Sequence, residues 1–192
     1  MGPLMRPQAE MLADLLRVKE GGDLKVVDIS ASHGLYGIAI LTANPRARAV
    51  AIDWAAVLEV ARENATLAGV ADRLRTVPGD AFQVDLGSAN DLVLIPNFLH
   101  HFDARTCEGF LRKVHAALRP GGRAAIVEFI PEDDRISPPP AALFSLTMLT
   151  NTPAGDAYTY PEIESMLKNA GFSRAQLHPL PPTSQSAVIA EK

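Results

Sequence analysis

Five short β-branched or apolar runs in this chain end on, or lead into, an ionisable residue, and helix-forming stretches separate them. Leu24 to Ile29 carries Asp28, Ala49 to Asp53 closes on Asp53, and Leu74–Val77 is followed by Gly79-Asp80-Ala81-Phe82. Asp91 to Ile95 leads to His100, and Ala124 to Phe129 contains Glu128. Strands alternating with helices, apolar on both faces, specify a parallel sheet covered on two sides. In such a sheet ligands bind beyond the carboxyl ends of the strands, where these five groups would converge.

The intervening elements follow from spacing and punctuation. Met11, Leu12, Leu15, Leu16 and Val18 recur at helical intervals before Gly21-Gly22, giving a leading amphipathic helix over about 8–20 within residues 1–22. Helices are expected from Leu35 to Leu41 and over about 55–68, the second closed by Gly69. Another runs over about 104–118, with Asp103 as cap and Pro120-Gly121-Gly122 as stop. The Pro138-Pro139-Pro140 run breaks the chain before a helix over about 142–149. Thr159 and Glu162 have capping-box spacing for a helix over about 160–170, with Pro161 in its first turn. Strands over about 174–178 and 186–191, joined by a short loop, form an antiparallel edge hairpin.

With 192 residues, 47% hydrophobic and 21% charged, the chain has material for one packed domain over 1–192. Its formal charge of −4, with Lys and Arg scattered, leaves no footprint for a nucleic-acid backbone or an anionic membrane. Charges throughout the first twenty residues exclude a signal-peptide core or membrane span there, and the single cysteine, Cys107, excludes an intrachain disulfide and a cysteine-rich zinc site. A reducing cytoplasmic setting is expected, with Cys107 buried and inert. Glu132-Asp133-Asp134 reads as a solvated loop rather than a metal cluster, and Phe144, Met148 and Leu149 as core and pocket wall at once.

An acid at a strand end often only caps the next helix or turn. Asp53 and Asp80, however, precede Trp54 and Phe82, ring systems suited to a flat heterocycle. The turn Ser30-Ala31-Ser32-His33-Gly34 is small enough for close backbone approach, but it lacks the full glycine pattern of a dinucleotide fingerprint, which disfavours a nicotinamide oxidoreductase.

Four of these segments, Val26 to Gly34, Ala51-Ile52-Asp53-Trp54, Gly79 to Phe82 and Leu118 to Gly122, together resemble the motif series of class I S-adenosylmethionine-dependent methyltransferases. Asn97 to Asp103, Ile126 to Pro131, and Gly155 to Thr159 through Ala170-Gly171-Phe172 resemble more narrowly the small-molecule O-methyltransferases of the caffeate and hydroxyindole type. The resemblance implies a Rossmann-like seven-stranded sheet, mostly parallel, with the antiparallel hairpin at its edge. It implies that Asp28, Ser30, Ser32 and Gly34 surround the amino-acid part of S-adenosylmethionine and that Asp53 accepts the ribose hydroxyls. Trp54, Ala81 and Phe82 would sandwich the adenine, Asp80 would accept from its amine, and backbone near Asn97 would close the methionine end.

By the same resemblance His100 is the general base for a hydroxyl of an aromatic or polyketide-like molecule, oriented by Glu128, and no metal is needed. His101 and Asp103 would face solvent or start the following helix. Ser30 and Ser32 replace family glycines, which suits binding if their backbone angles do not require φ > 0. The plant lysine that holds the cofactor carboxylate falls at Pro96. A second orienting acid aligns with Ala157, leaving Asp156 as a shifted substitute. Family members carry an N-terminal helical dimerisation domain, so a second copy or a separate N-terminal domain is the expected partner beside the small acceptor. The competing functions are N- or C-methylation, or a cofactor-binding but silent module acting with a partner.

Overall fold

The computed structural model describes residues 2–192. One seven-stranded sheet runs through it in the order β3-β2-β1-β4-β5-β7-β6. β1 (Lys25–Ile29), β2 (Arg48–Asp53), β3 (Leu74–Pro78), β4 (Asn90–Pro96) and β5 (Leu118–Glu128) are parallel, while β6 (Arg174–Pro179) and β7 (Ser186–Glu191) are antiparallel, with β7 pairing both β5 and β6. The strand order reverses between β1 and β4, so the crevice where ligands bind in such sheets opens there.

At its centre the sheet is covered on both faces. Val27, Val93, Ile95, Ala124 and Ile126 pack on one side with Leu111 and Val114 of α4 (Ala104–Ala117) and with Ile163 and Met166 of α6 (Tyr160–Asn169). Val26, Leu92, Leu94, Ala125 and Val127, one step away along the same strands, pack with α1 (Gly2–Leu15) and α2 (Leu35–Ala43). The two-residue alternation of strand side chains thus divides near-continuous apolar runs between two cores. α3 (Ala55–Leu67) covers β2 and β3 through Leu58 and Ala65.

Several boundaries differ from the sequence expectation for local reasons. The leading helix does not run over 8–20: α1 ends at Leu15, Arg17 takes φ 52°, and a separate 3₁₀ turn covers Val18–Glu20. The Pro138 to Pro140 run does not merely precede a helix. Pro139 opens α5 (Pro139–Asn151), where a first-turn proline has no N–H to lose. Pro120-Gly121-Gly122 is not a free-standing stop either: β5 begins at Leu118 and carries these residues through a register shift against β4. Asp103 caps α4 by accepting from Thr106 N–H at 2.8 Å, and Thr159 with Glu162 closes a capping box on α6. Leu149, expected in the pocket wall, is 74% exposed on the outer face of α5. Cys107 is buried within α4, and burial pushes its thiol up to about 12. No helix among the described residues is long and apolar enough to cross a membrane.

Candidate active site

β4 ends at Pro96, Asn97 turns at φ 53°, and a single 3₁₀ turn, Leu99–His101, brings His100 back over the neighbouring end of β5. Glu128 closes β5 beside it. Its Oε1 accepts from the backbone N–H groups of Phe98 and Leu99, each at 2.9 Å, and its Oε2 lies 2.5 Å from His100 Nδ1. Both residues are buried, at 5% and 3% exposure. Glu128 is an acceptor-only group when ionised, so the shared proton belongs on Nδ1 and the Nε2 lone pair is left for a ligand. Phe144 meets the His100 ring edge-to-face at 4.8 Å.

Three cavities adjoin along this edge. The first, of about 450 Å³, is lined by Ser30, Asp53, Trp54, Asp80, Ala81 and Phe82, with His101 at its rim. The second, about 200 Å³, lies against Ser30, Ser32, His33, Tyr36 and Asn97. The third, about 740 Å³ and largely apolar, is lined by Met5, Asn97, His100, Phe129, Phe144 and Met148 among others. Ser30 joins the first to the second, and Asn97 joins the second to the third.

Asp53 Oδ1 accepts from Trp54 N–H at 2.7 Å and Oδ2 from Ser32 N–H at 2.9 Å, which locks the turn after β1 to the end of β2. Each oxygen keeps a lone pair for a further donor. Asp80 Oδ1 accepts from Phe82 N–H at 2.9 Å, so this acid both closes its own turn and lines the first cavity. Lys113, which sequence reasoning missed, donates from α4 to the carbonyls of Ala81, Phe82 and Val84 at 2.6–2.8 Å and fixes the loop that carries Asp80.

Asp28 and Gly34 belong beneath these cavities and line none of them. Asp28 has no exposed surface. Its Oδ2 accepts from Gly37 N–H at 2.9 Å, its Oδ1 has no partner, and burial pushes its carboxyl up to about 7. A Cβ on Gly37 would lie 2.9 Å from that Oδ2, so the first turn of α2 can sit on Asp28 only because Gly37 lacks one. Gly34, at φ 75°, begins α2. Ser30 and Ser32 do adopt left-handed angles, φ 52° and 51°, the condition under which the sequence reading expected the serines to be unfavourable. His101, expected to face solvent or start a helix, is exposed yet lines both the first and third cavities, its ring 4.2 Å from that of His100. Burial, then the neighbouring His100, lowers its pKa. Asp156 is held by Arg135 at 3.0 Å and makes no hydrogen bond with His100. Gln8 and Gln185 of the third cavity carried no local signal, because each is brought in from a distant segment.

The chain that carries this site is similar to known proteins. The sequence model of the O-methyltransferase domain family matches residues 14–173. The tetracenomycin polyketide synthesis 8-O-methyl transferase of Streptomyces glaucescens is 31% identical over 147 residues, 77% of this chain and 43% of that protein. A candidate O-methyltransferase from Nostoc punctiforme is 55% identical, with a TM-score of 0.96 over 100% of this chain and 58% of its own. PigF, solved with SAH, is 27% identical with a TM-score of 0.79, covering 91% of this chain and 53% of its own. The chain spans less than half the length of the curated relatives it matches.

Proposed function

The chain belongs to the O-methyltransferase domain family, and from that premise we propose that it binds S-adenosylmethionine along the carboxyl edge of its sheet and methylates a hydroxyl of a small aromatic or polyketide-like acceptor. The observation that carries this reading is the His100–Glu128 pair, whose histidine lines the cavity that meets the two smaller cavities at Asn97. The cavities fit the cofactor in sequence: adenine beside Trp54, Ala81 and Phe82, ribose at the Asp53 oxygens, and the amino-acid end in the turn of Ser30 and Ser32. The unpartnered amide of Asn97 marks where that end meets the acceptor.

When bound, S-adenosylmethionine supplies a methyl group already activated on a sulfonium. This chain's own residues must deprotonate and aim the acceptor. Glu128 holds the Nδ1 proton of His100, and Nε2 receives the hydroxyl proton, a contribution of about 10²–10⁴-fold for a positioned base. Phe129, Phe144 and Met148 keep water from the hydroxyl and seat a ring. The S. glaucescens relative, named for a polyketide substrate, and PigF, solved with SAH, support the acceptor and cofactor classes respectively.

Calorimetric titration with S-adenosylhomocysteine tests the cofactor half: a Kd in the micromolar range, about −8 kcal/mol, is expected. Methyl transfer to a panel of phenols by the wild-type chain and by His100→Ala tests the other half. A folded chain that does not bind, or a His100→Ala variant as fast as wild type, would sink the corresponding claim.

A further inference from the structure

Four amide side chains line the acceptor cavity; Asn151 spends its Nδ2 on the Thr147 carbonyl and the Thr150 hydroxyl, and two of the others, Gln8 and Asn97, are anchored through their oxygens. Gln8, 7% exposed, accepts from the Tyr36 hydroxyl through Oε1 at 3.3 Å. Asn97 accepts through Oδ1 from Nε2 of Gln185, a 4%-exposed residue in the loop between β6 and β7. With its oxygen turned to Gln185, the Asn97 Nδ2 group is buried and has no partner. Gln8 Nε2 has no hydrogen bond among the described residues. The Asn97 main chain is committed separately, its N–H donating to the Val127 carbonyl at 2.8 Å.

The rest of the lining is Met5, Phe129, Phe144 and Met148 together with Thr147, His100 and His101, and no Lys, Arg, Asp or Glu contributes to it among the described residues. A carboxylate on the acceptor would therefore be desolvated without a counter-charge, which is strongly unfavourable. Two N–H₂ groups held with their oxygens already occupied call instead for a neutral oxygen acceptor. Building on the reading of His100 as base for a hydroxyl, we infer that the acceptor is an uncharged hydroxyaryl ketone or quinone whose carbonyl oxygen accepts from Asn97 Nδ2, with Gln8 Nε2 as second donor. Gln185 is a positioning residue: it acts through Asn97 by fixing which end of that amide faces the ligand. His100 takes the proton of a hydroxyl near the carbonyl, and the remaining rings lie against Phe129, Phe144 and Met148.

The test uses a matched pair of probes, 1-hydroxyanthraquinone and 1-hydroxyanthracene, which share a hydroxyl position and differ in the carbonyls. The wild-type chain should show a kcat/KM about tenfold or more higher for the quinone, the preference expected when a buried donor is left unpaired by the other substrate. In Gln185→Met, which cannot hold the Asn97 oxygen, and in Asn97→Gly, which suits the positive φ, that ratio should fall about tenfold. A purely architectural role would lower both rates together and leave the ratio intact, and that result overturns the inference. Equal wild-type turnover of the two probes also overturns it while leaving methyl transfer standing. Binding of S-adenosylhomocysteine without turnover of either probe removes the methyl-transfer reading and the inference with it.

Discussion

Glu128 Oε2 sits 2.5 Å from His100 Nδ1 while Oε1 of the same carboxyl accepts from the N–H groups of Phe98 and Leu99. One side chain therefore shapes the turn that carries His100 and sets its tautomer. The parallel pairing of Pro96 with Val127 brings the ends of β4 and β5 together, so this relationship is a product of sheet register rather than of loop flexibility.

Glu128→Gln tests the tautomer. The amide oxygen can replace Oε1 at the turn, but its NH₂ then faces Nδ1, which must accept, and the ring proton moves to Nε2. The kcat of methyl transfer should fall by about 10²-fold or more. His100→Ala should cost as much, and the double variant should be no slower than the worse single one. Fully additive losses would show that the two residues act independently.

The left-handed angles of Ser30 and Ser32 carry a stability cost that glycine would remove. A Cβ at such angles costs roughly 1–2 kcal/mol, part of which is offset by glycine's larger unfolded-state entropy. Ser30→Gly and Ser32→Gly should each raise Tm by about 2–4 °C for a net gain near 1 kcal/mol. The Ser32 N–H to Asp53 bond is unaffected, since it uses only backbone. A Tm that stays level or drops in both variants would mean that the hydroxyls hold the turn.

Burial gives Asp28 a measurable pH signature. Its carboxyl, normally near 3.8, is pushed up to about 7. Between those values the folded chain keeps a proton that the unfolded chain releases, so this group's stabilising effect is complete below about 4. It is lost as pH rises to about 7, at roughly 1.4 kcal/mol per unit. Asp28→Asn retains an acceptor for the Gly37 N–H and does not titrate. The Tm of wild type minus that of Asp28→Asn should therefore fall by about 5–10 °C between pH 5 and pH 7. A difference that is flat across this range would place the Asp28 titration elsewhere.

These residues also show what sequence could and could not reveal. The alternation of apolar strands and helices was legible because the central strands β1, β4 and β5 are buried on both faces, and acids at strand ends marked the edge along which the cavities lie. Asp28 and Asp53 looked equivalent in sequence. Asp53 is the last residue of β2 and reaches the cavity, whereas Asp28 stands one residue inside β1 and the first turn of α2 settles on it. The Asn97–Gln185 bond spans 88 positions and the Gln8–Tyr36 bond 28, so neither leaves a local pattern. His101 is exposed, as expected, but its place beside two cavities was not foreseen, because consecutive residues of a 3₁₀ turn diverge around it: His100 turns inward to Glu128, while His101 stays outside.

Gly155 explains one motif that sequence resemblance quoted without a reason. A Cβ at this position would lie 2.1 Å from the His100 carbonyl oxygen and 2.6 Å from Thr152 Oγ1, which already accepts from Gly155 N–H at 2.8 Å. The 152–156 turn thus packs directly on the backbone of the turn that carries His100. In Gly155→Ala one of the two turns must move. His100 is held by Glu128 from the other side, so the strain falls on the imidazole's aim as well as on stability. Overpacking of this kind costs about 1–3 kcal/mol, and displacements near 1 Å at a reacting group cost up to about 10²-fold in rate. The expected result is a kcat at least about tenfold lower, with binding of S-adenosylhomocysteine retained, because the cavities assigned to the cofactor are built from other segments. If Gly155→Ala methylates phenols at the wild-type rate, the 152–156 turn yields freely and His100 is positioned by Glu128 alone.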